Sequence, residues 1–293
     1  MTRLAGGVDG WLAPTAPPER LAMLRIVVMG FATGYLVIRL PAFLALADLP
    51  DDRFEPVGVL AWLREPLGAA WPPVVAATVV AGLLATAGLW FRVSGPLFAG
   101  LLLVVTTYRS SWGQLLWFEA LVVLHALIVA LASSADALSV DARRSAGRRS
   151  PSSGYGFPVQ LAAIVTVLTY VLAGIAKLKI GGLDWVAGET LRNHVAYSAA
   201  RLDVLGGTPS PLAGPFMRAT WVAGPLALVA LVIELAAPVA LMGGRARTAW
   251  VVGAWGMHLA IAGLMLVVFP YPLLLVAFAP LFPLERLLRA RRP

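Results

Sequence analysis

The sequence lacks cysteine and is poor in charge: none of its 293 residues is cysteine, and only 13% are Asp, Glu, Lys or Arg. Without cysteine the chain can form no disulfide, no thiolate metal site and no dithiol relay of its own. Lysine is nearly absent too, because Lys177 and Lys179 are the only lysines among 23 basic side chains. Arginine stays charged in proteins whereas a desolvated lysine can lose its proton, so these two positions raise the question of whether deprotonation matters here.

The sequence is dominated by long apolar segments. The chain is 59% hydrophobic with a mean hydropathy of +0.82, whereas about a quarter of the residues of a soluble domain are charged. A run of about 20 apolar residues can cross the hydrocarbon core of a bilayer. We therefore predict an all-α polytopic membrane helix bundle of about eight transmembrane or membrane-embedded helices, with the lipid bilayer as its partner. The predicted segments are 21–40, 72–90, 94–108, 115–132, 159–176, 219–241, 250–268 and 271–286. The third and the eighth are short for full crossings, so for each the sequence leaves open a tilted or re-entrant piece that its neighbours bury.

Arginine clusters beside these segments predict the orientation. If eight segments alternate in direction, the arginine-rich connections, such as 143–149, fall on the same side as both termini, which we predict to be cytoplasmic. Orientation explains the net charge of +8 better than nucleic-acid binding does, and the composition favours a bacterial inner membrane. We predict a cytoplasmic segment over 1–20, a membrane domain over 21–288 and a basic cytoplasmic tail over 289–293. Lys177 then lies at the external end of the fifth segment.

Ionisable side chains inside apolar segments are costly and are therefore candidates for function. Arg25 lies near the start of the first segment, where its guanidinium could snorkel to the interface. We interpret His125 as a satisfied core residue and Glu234 as a group that ties helices together. Glu119 and His258 are open to either a structural or a functional interpretation. The sequence has three histidines and no metal-binding motif, so we predict no metal site.

The residues before Lys177 form a helical face. Tyr170, Gly174 and Lys177 are spaced i, i+4 and i+7, which places them on one side of a helix. Gly174 leaves room for the close approach of another helix or of a flat ligand. The alternative is that both lysines are interfacial anchors and that Trp185 belongs to the aromatic belt, as is typical of residues at the ends of membrane helices.

Three stretches of this sequence resemble one family. The run YVLAGIAKLKIGGLDWVAG (170–188) resembles the Y-x-x-A-G-x-x-K-L…D-W-x-x-G pattern of the horizontally transferred transmembrane (HTTM) domain, the membrane portion shared with vitamin K-dependent γ-carboxylases. The run 258–282 resembles that family's H-x-x-x-x-x-x-M…F…P-L-F stretch, and DALSVD (136–141) is similar to its S-[LV]-D. Residues 179–182 are an insertion relative to the family spacing, and the asparagine expected near His258 is missing.

The resemblance implies quinol chemistry. In the carboxylases a lysine deprotonates vitamin K hydroquinone, oxygen adds, and the resulting strong base removes a proton from a substrate glutamate that captures CO2. Lys177 matches that lysine, and His258 matches a histidine of the later motif. The implied cofactor is a reduced quinone of the vitamin K or menaquinol type. The predicted site comprises Lys177 and His258 as catalytic residues and Tyr170, Gly174, Trp185 and Glu119 as cofactor-binding residues.

A second hypothesis is a non-enzymatic membrane module, such as an accessory subunit, an immunity-like protein or a transporter component. Glu119, Glu234 and His258 would then tie helices together or form a proton path. Its partner would be a membrane or secreted protein. We see no large external β-rich domain after the apolar segments, so the resemblance does not carry carboxylation of a long peptide with it.

Overall fold

Helices make up the regular structure of this computed structural model, which describes residues 7, 9–113, 117–145 and 149–289. Within those residues the only extended pairing is an isolated bridge between Ala16 and Ser152. We label nine α-helices: α1 Pro18–Ile38, α2 Trp71–Ala87, α3 Phe91–Ser110, α4 Trp117–Ala130, α5 Ser153–Ala187, α6 Glu189–Val204, α7 Ala213–Arg218, α8 Thr220–Leu235 and α9 Gly244–Met265. Shorter α-helices span Leu40–Leu44, Val140–Arg144, Pro270–Leu273 and Arg286–Arg289, and 3-10 helices span Ala45–Asp48, Asp51–Arg53, Gly58–Leu60, Gly68–Ala70, Ala237–Met242 and Val276–Leu281.

Five of these helices are long and apolar enough to cross a membrane. They are α1, α2 with the turn that precedes it (Gly68–Ala87), α3, α5 and α9. Helices α4 and α8 are apolar but shorter. Seven of the eight predicted segments therefore coincide with apolar helices, although residues 115 and 116 of the fourth lie outside the described residues. The prediction of an all-α polytopic membrane bundle is confirmed.

The eighth predicted segment is broken rather than continuous. Residues 271–286 fall into short helical pieces separated by turns, and the segment carries Pro272, Pro280 and Pro283. Proline lacks the N–H that a helix interior requires and clashes with the preceding turn, so an uninterrupted helix cannot form here. The stretch Ala277–Leu281 is buried. Irregular backbone at membrane depth is tolerated when protein covers it.

Contacts within the chain group the helices into two units. One unit contains the described residues up to Ala162 together with those from Phe282 onward, and the other is Ala163–Leu281. In the first unit, Arg20 donates to both carboxylate oxygens of Glu285, at 3.0 and 2.7 Å. The cytoplasmic orientation and the boundaries of the terminal segments remain predictions, and residues 1–6, 8 and 290–293 lie outside the described residues.

The expectation that Arg25 snorkels to the interface is wrong. Its side chain is fully buried, and Nη2 donates to the Leu138 carbonyl at 2.6 Å. The neighbouring Asp141 carboxylate accepts from the backbone N–H groups of Trp90 and Phe91, at 3.0 and 2.8 Å. Arg25 and Asp141 thereby tie the segment after α4 to helix α1 and to the turn between α2 and α3. The S-x-D motif at 139–141 is thus part of the first unit's framework.

Candidate functional site

Helix α5 carries the motif lysine within its helical part. The helix runs from Ser153 to Ala187 but has one non-helical residue, Gly182, with φ 52° and ψ −135°. This left-handed conformation is readily available to glycine and strained for other residues. The insertion 179–182 therefore extends the helix past Lys177 before the chain breaks. Lys179, in the insertion, is exposed.

Gly174 allows helix α8 to approach α5 closely. A Cβ atom on Gly174 would lie 2.8 Å from Leu235 Cδ2 and 3.1 Å from Glu234 Cβ, and the first of these distances is too short for a real contact. Of the two roles left open for Gly174, close approach of another helix is present. That approach brings Glu234, on the facing helix, within reach of Lys177, which lies about one helical turn along α5 from Gly174.

Lys177 forms a part-buried ion pair with Glu234. Its Nζ donates to Glu234 Oε1 at 2.5 Å, and the side chains are 24% and 6% exposed, respectively. The same Nζ lies 5.1 Å from the ring centre of Trp185, whose Nε1 donates to the Ala227 carbonyl at 3.1 Å. Trp185 is buried rather than part of an exposed aromatic belt. The Lys177 ammonium is therefore directed at Glu234 and Trp185 and is only partly exposed.

A second polar pair joins α5 to α9. Tyr170 Oη and His258 Nε2 are 2.8 Å apart and hydrogen-bonded. The Tyr170 ring packs edge-on against Trp250 at 5.0 Å and lies 6.1 Å from Phe278, while Phe269 packs edge-on against His258 at 5.3 Å. Aromatic rings thus surround this pair, as expected for a polar contact held inside an apolar environment.

Each pair keeps one buried polar atom without a partner. Within the part of the chain that the structure describes, Glu234 Oε2 and His258 Nδ1 are buried and form no hydrogen bond. The pairs are close enough for the charge of Lys177 to act on His258 and for that of Glu234 to act on Tyr170. Buried polar groups are normally satisfied, so each of these two atoms is able to take a polar ligand or a water molecule; Glu119 Oε2 in the first unit is buried without a partner as well.

The second unit therefore brings together five of the six predicted site residues: Tyr170, Gly174, Lys177, Trp185 and His258. It adds Glu234, which the sequence indicated only as a helix tie. The signal that could have found it was its ionisable group inside an apolar segment. Among the described residues, no three His, Asp or Glu side chains are grouped closely enough to hold a metal ion.

Glu119, the sixth predicted residue, makes its polar contacts in the first unit. Its Oε1 accepts from Tyr35 Oη at 2.6 Å and also from Arg109 Nη1. Arg109 Nη1 lies 2.9 Å from Tyr35 Oη as well, so the three side chains form a closed cluster. His125, also in this unit, contacts the Ala162 carbonyl through Nε2 at 3.1 Å. Glu119 and His125 thus contact different partners, as expected from their positions on different faces of α4.

The sequence matches one family model. The model described as HTTM domain covers residues 17–285, which is nearly the whole chain. No curated protein sequence and no solved structure matches the chain significantly. The matched range contains both polar pairs of the second unit and the Glu119 cluster of the first.

Proposed function

The chain belongs to the HTTM family, and from this premise we propose that it is a membrane enzyme that uses a reduced quinone at the Lys177–Glu234 and Tyr170–His258 pairs. The observation that carries the proposal is the pair of buried, unpartnered atoms, Glu234 Oε2 and His258 Nδ1, in an aromatic environment. An apolar, lipid-soluble ring that carries a hydroxyl group is the kind of ligand that would satisfy both. The quinone would come from the bilayer, in which the chain is embedded.

The residues present are compatible with such a ligand. A bound quinol would supply an ionisable hydroxyl and, on oxidation by dioxygen, two electrons. Glu234 Oε2 can accept a hydrogen bond. Because Tyr170 bonds to Nε2 of His258, Nδ1 of the same ring remains available to donate or accept a hydrogen bond, depending on the tautomer. Trp185 and Phe269 present ring surfaces beside the two pairs. We propose that the Lys177–Glu234 pair takes up the hydroxyl proton and that His258 orients the ligand oxygen.

The low solvent exposure of the Lys177–Glu234 pair also favours proton transfer. In a low-dielectric environment, fixed charges act more strongly on a developing negative charge than they do in water. The Lys177 ammonium would neutralise such a charge on the ligand oxygen. Proton transfer by a positioned side chain typically contributes about 10²–10⁴-fold to a rate.

The proposal is tested with purified protein in liposomes that contain a reduced naphthoquinone. We expect oxygen-dependent formation of the quinone, measured by its absorbance, at a rate above that of protein-free liposomes. Lys177→Ala should lower turnover by about a hundredfold. Lys179→Ala removes an exposed lysine two residues away and should keep full turnover. Full turnover by Lys177→Ala would contradict the role assigned to the pair.

A non-enzymatic membrane module is the second candidate. One observation favours it: the two pairs connect α5 to two different helices, α8 and α9, as interhelical ties in membrane proteins do. A wild-type protein that is inert towards the quinol and that co-purifies with a stoichiometric membrane or secreted partner would support this candidate. The same result would remove the enzyme proposal.

A further inference from the structure

The two members of the Lys177–Glu234 ion pair differ in which atoms are free, because the second carboxylate oxygen of Glu234 has no partner among the described residues. We infer that Glu234 is the group that accepts the ligand proton and that Lys177 is a positioning residue that keeps Glu234 ionised. This inference rests on the proposed function, in which the pair as a whole takes up the proton. It assigns the catalytic role to a residue that the sequence motif does not include.

Lys177 makes contacts of the kind that a cation makes. An ammonium has three N–H donors and no lone pair, so it cannot accept a proton. Nζ donates to Glu234 Oε1 at 2.5 Å and faces the Trp185 ring at 5.1 Å, and both contacts are attractive to a cation. The side chain is 24% exposed, which leaves the ammonium partly hydrated. A neutral amine would lose the ion pair and the cation–π contact together.

Glu234 has the free lone pair that Lys177 lacks. Oε1 is occupied by Lys177, but Oε2 is buried and has no partner among the residues that the structure describes. A buried carboxylate oxygen without a donor is unfavourable, and a ligand hydroxyl is a donor that would satisfy it. In the transfer, the ligand O–H bond breaks, an O–H bond forms at Oε2, and the electron pair stays on the ligand oxygen. The total charge is unchanged, and the negative charge moves from Glu234 to an oxygen near the Lys177 ammonium.

The first unit shows that an arginine can hold a glutamate in the same way. Arg109 contacts Glu119 through Oε1, and Glu119 Oε2 is buried without a partner in the described part of the chain. Arginine cannot become neutral in a protein. An arginine at position 177 can therefore supply the positive charge and leave Oε2 free, but it cannot act as a base.

Two substitutions distinguish Glu234 from Lys177 as the group that accepts the ligand proton. If Glu234 accepts the proton, Lys177→Arg should keep turnover within about tenfold of wild type, whereas Glu234→Gln should lose about a hundredfold or more. If Lys177 is the base, Lys177→Arg should be inactive, and Glu234→Gln, which frees the amine from its carboxylate, should remain active. Glu285→Gln is the matched control, because Glu285 is paired with Arg20 in the first unit and has no role in the site. Each variant is compared at equal amounts of folded protein, measured by gel filtration and circular dichroism.

Infrared difference spectroscopy provides a readout that does not depend on turnover. Addition of the reduced naphthoquinone without oxygen should produce the C=O band of a protonated carboxyl group in wild type, in Lys177→Arg and in Glu285→Gln. The band should be absent in Glu234→Gln. An inactive but folded Lys177→Arg, or a band that persists in Glu234→Gln, would overturn the assignment to Glu234. A wild type without quinol turnover would instead contradict the proposed function, so the two failures are distinguishable.

Discussion

Each of the two units holds a buried glutamate against a cation, but the tyrosine beside it has a different partner. In the first unit, Tyr35 and Arg109 both contact Oε1 of Glu119. In the second unit, Lys177 is the one donor to Glu234 among the described residues, and the nearby tyrosine bonds to a histidine instead. The first arrangement is a cluster of three side chains that share Glu119 Oε1, whereas the second consists of two separate pairs; in the described residues the second oxygen of each glutamate has no partner. The comparison shows that the two tyrosines differ in their partners: Tyr35 belongs to the glutamate–arginine cluster, whereas Tyr170 bonds to a histidine on another helix, and we propose that only the second arrangement binds a ligand.

The largest expected effect is a loss of stability on replacing the buried glutamates, and we expect it to be greater for Glu119 than for Glu234. Glu119→Ala leaves Arg109, whose side chain is only 15% exposed, as an unpaired buried charge and removes the acceptor of Tyr35. Loss of one partner of a buried ion pair costs about 3–5 kcal/mol. Glu234→Ala should cost about 2 kcal/mol, because Lys177 is more exposed and can be hydrated. Unfolding in detergent measures both, and a greater loss for Glu234→Ala would break the comparison.

A smaller effect is expected at the helix crossing that creates the second site. Gly174→Ala places a Cβ 2.8 Å from Leu235 Cδ2 and pushes α8 away from α5. Overpacking of this kind costs about 1–3 kcal/mol. Gly256→Ala in α9 is the control, since no atom lies within 4 Å of its Cβ position, and it should cost nothing. Thermal unfolding measures stability, and equal effects of the two substitutions would show that the crossing at Gly174 is not tightly packed.

The smallest effect compares the two tyrosines. Tyr35→Phe and Tyr170→Phe each remove one hydrogen bond, and each should cost about 1 kcal/mol of stability. Only Tyr170→Phe changes the hydrogen bonding of His258, so only this variant should lower quinol turnover, by about tenfold. Turnover and thermal unfolding are measured on the same preparations. Loss of turnover in Tyr35→Phe alone would reverse the functional assignment of the two units.

The sequence predicted the helices well because apolar length determines them. The spacing of Tyr170, Gly174 and Lys177 also placed these residues correctly on one face of α5, since helical periodicity is local. For the eighth segment, the short apolar length left open a full crossing or a buried re-entrant piece; the structure has the broken, partly buried form, because Pro272, Pro280 and Pro283 interrupt a continuous helix.

Contacts distant in sequence were the part that could not be predicted. Lys177 and Glu234 are 57 residues apart, and their pairing depends on how closely α8 packs at Gly174. The buried guanidinium of Arg25 donates through Nη2 to a carbonyl 113 residues away, at Leu138, inside the first unit. A single sequence carries no signal for either contact, because each is set by the packing of separate helices.

The two lysines of the sequence differ in their surroundings. Lys179 is exposed in the insertion, whereas Lys177 is paired with Glu234 and faces Trp185. Because the first unit pairs its buried glutamates with arginine, the lysine at position 177 is the exception among the described ion pairs that bury a glutamate. Whether this exception reflects a need for a neutral amine is the question that Lys177→Arg answers.

The central claim is that a quinol binds in the second unit, between the Lys177–Glu234 and Tyr170–His258 pairs. Its most direct test is photolabelling of the reconstituted protein with a photoreactive naphthoquinone, followed by mass spectrometry of the labelled peptides. We expect label in the segments 170–185 and 250–269, reduced by excess unlabelled naphthoquinone. Label confined to the first unit, around Tyr35, Arg109 and Glu119, would contradict the account.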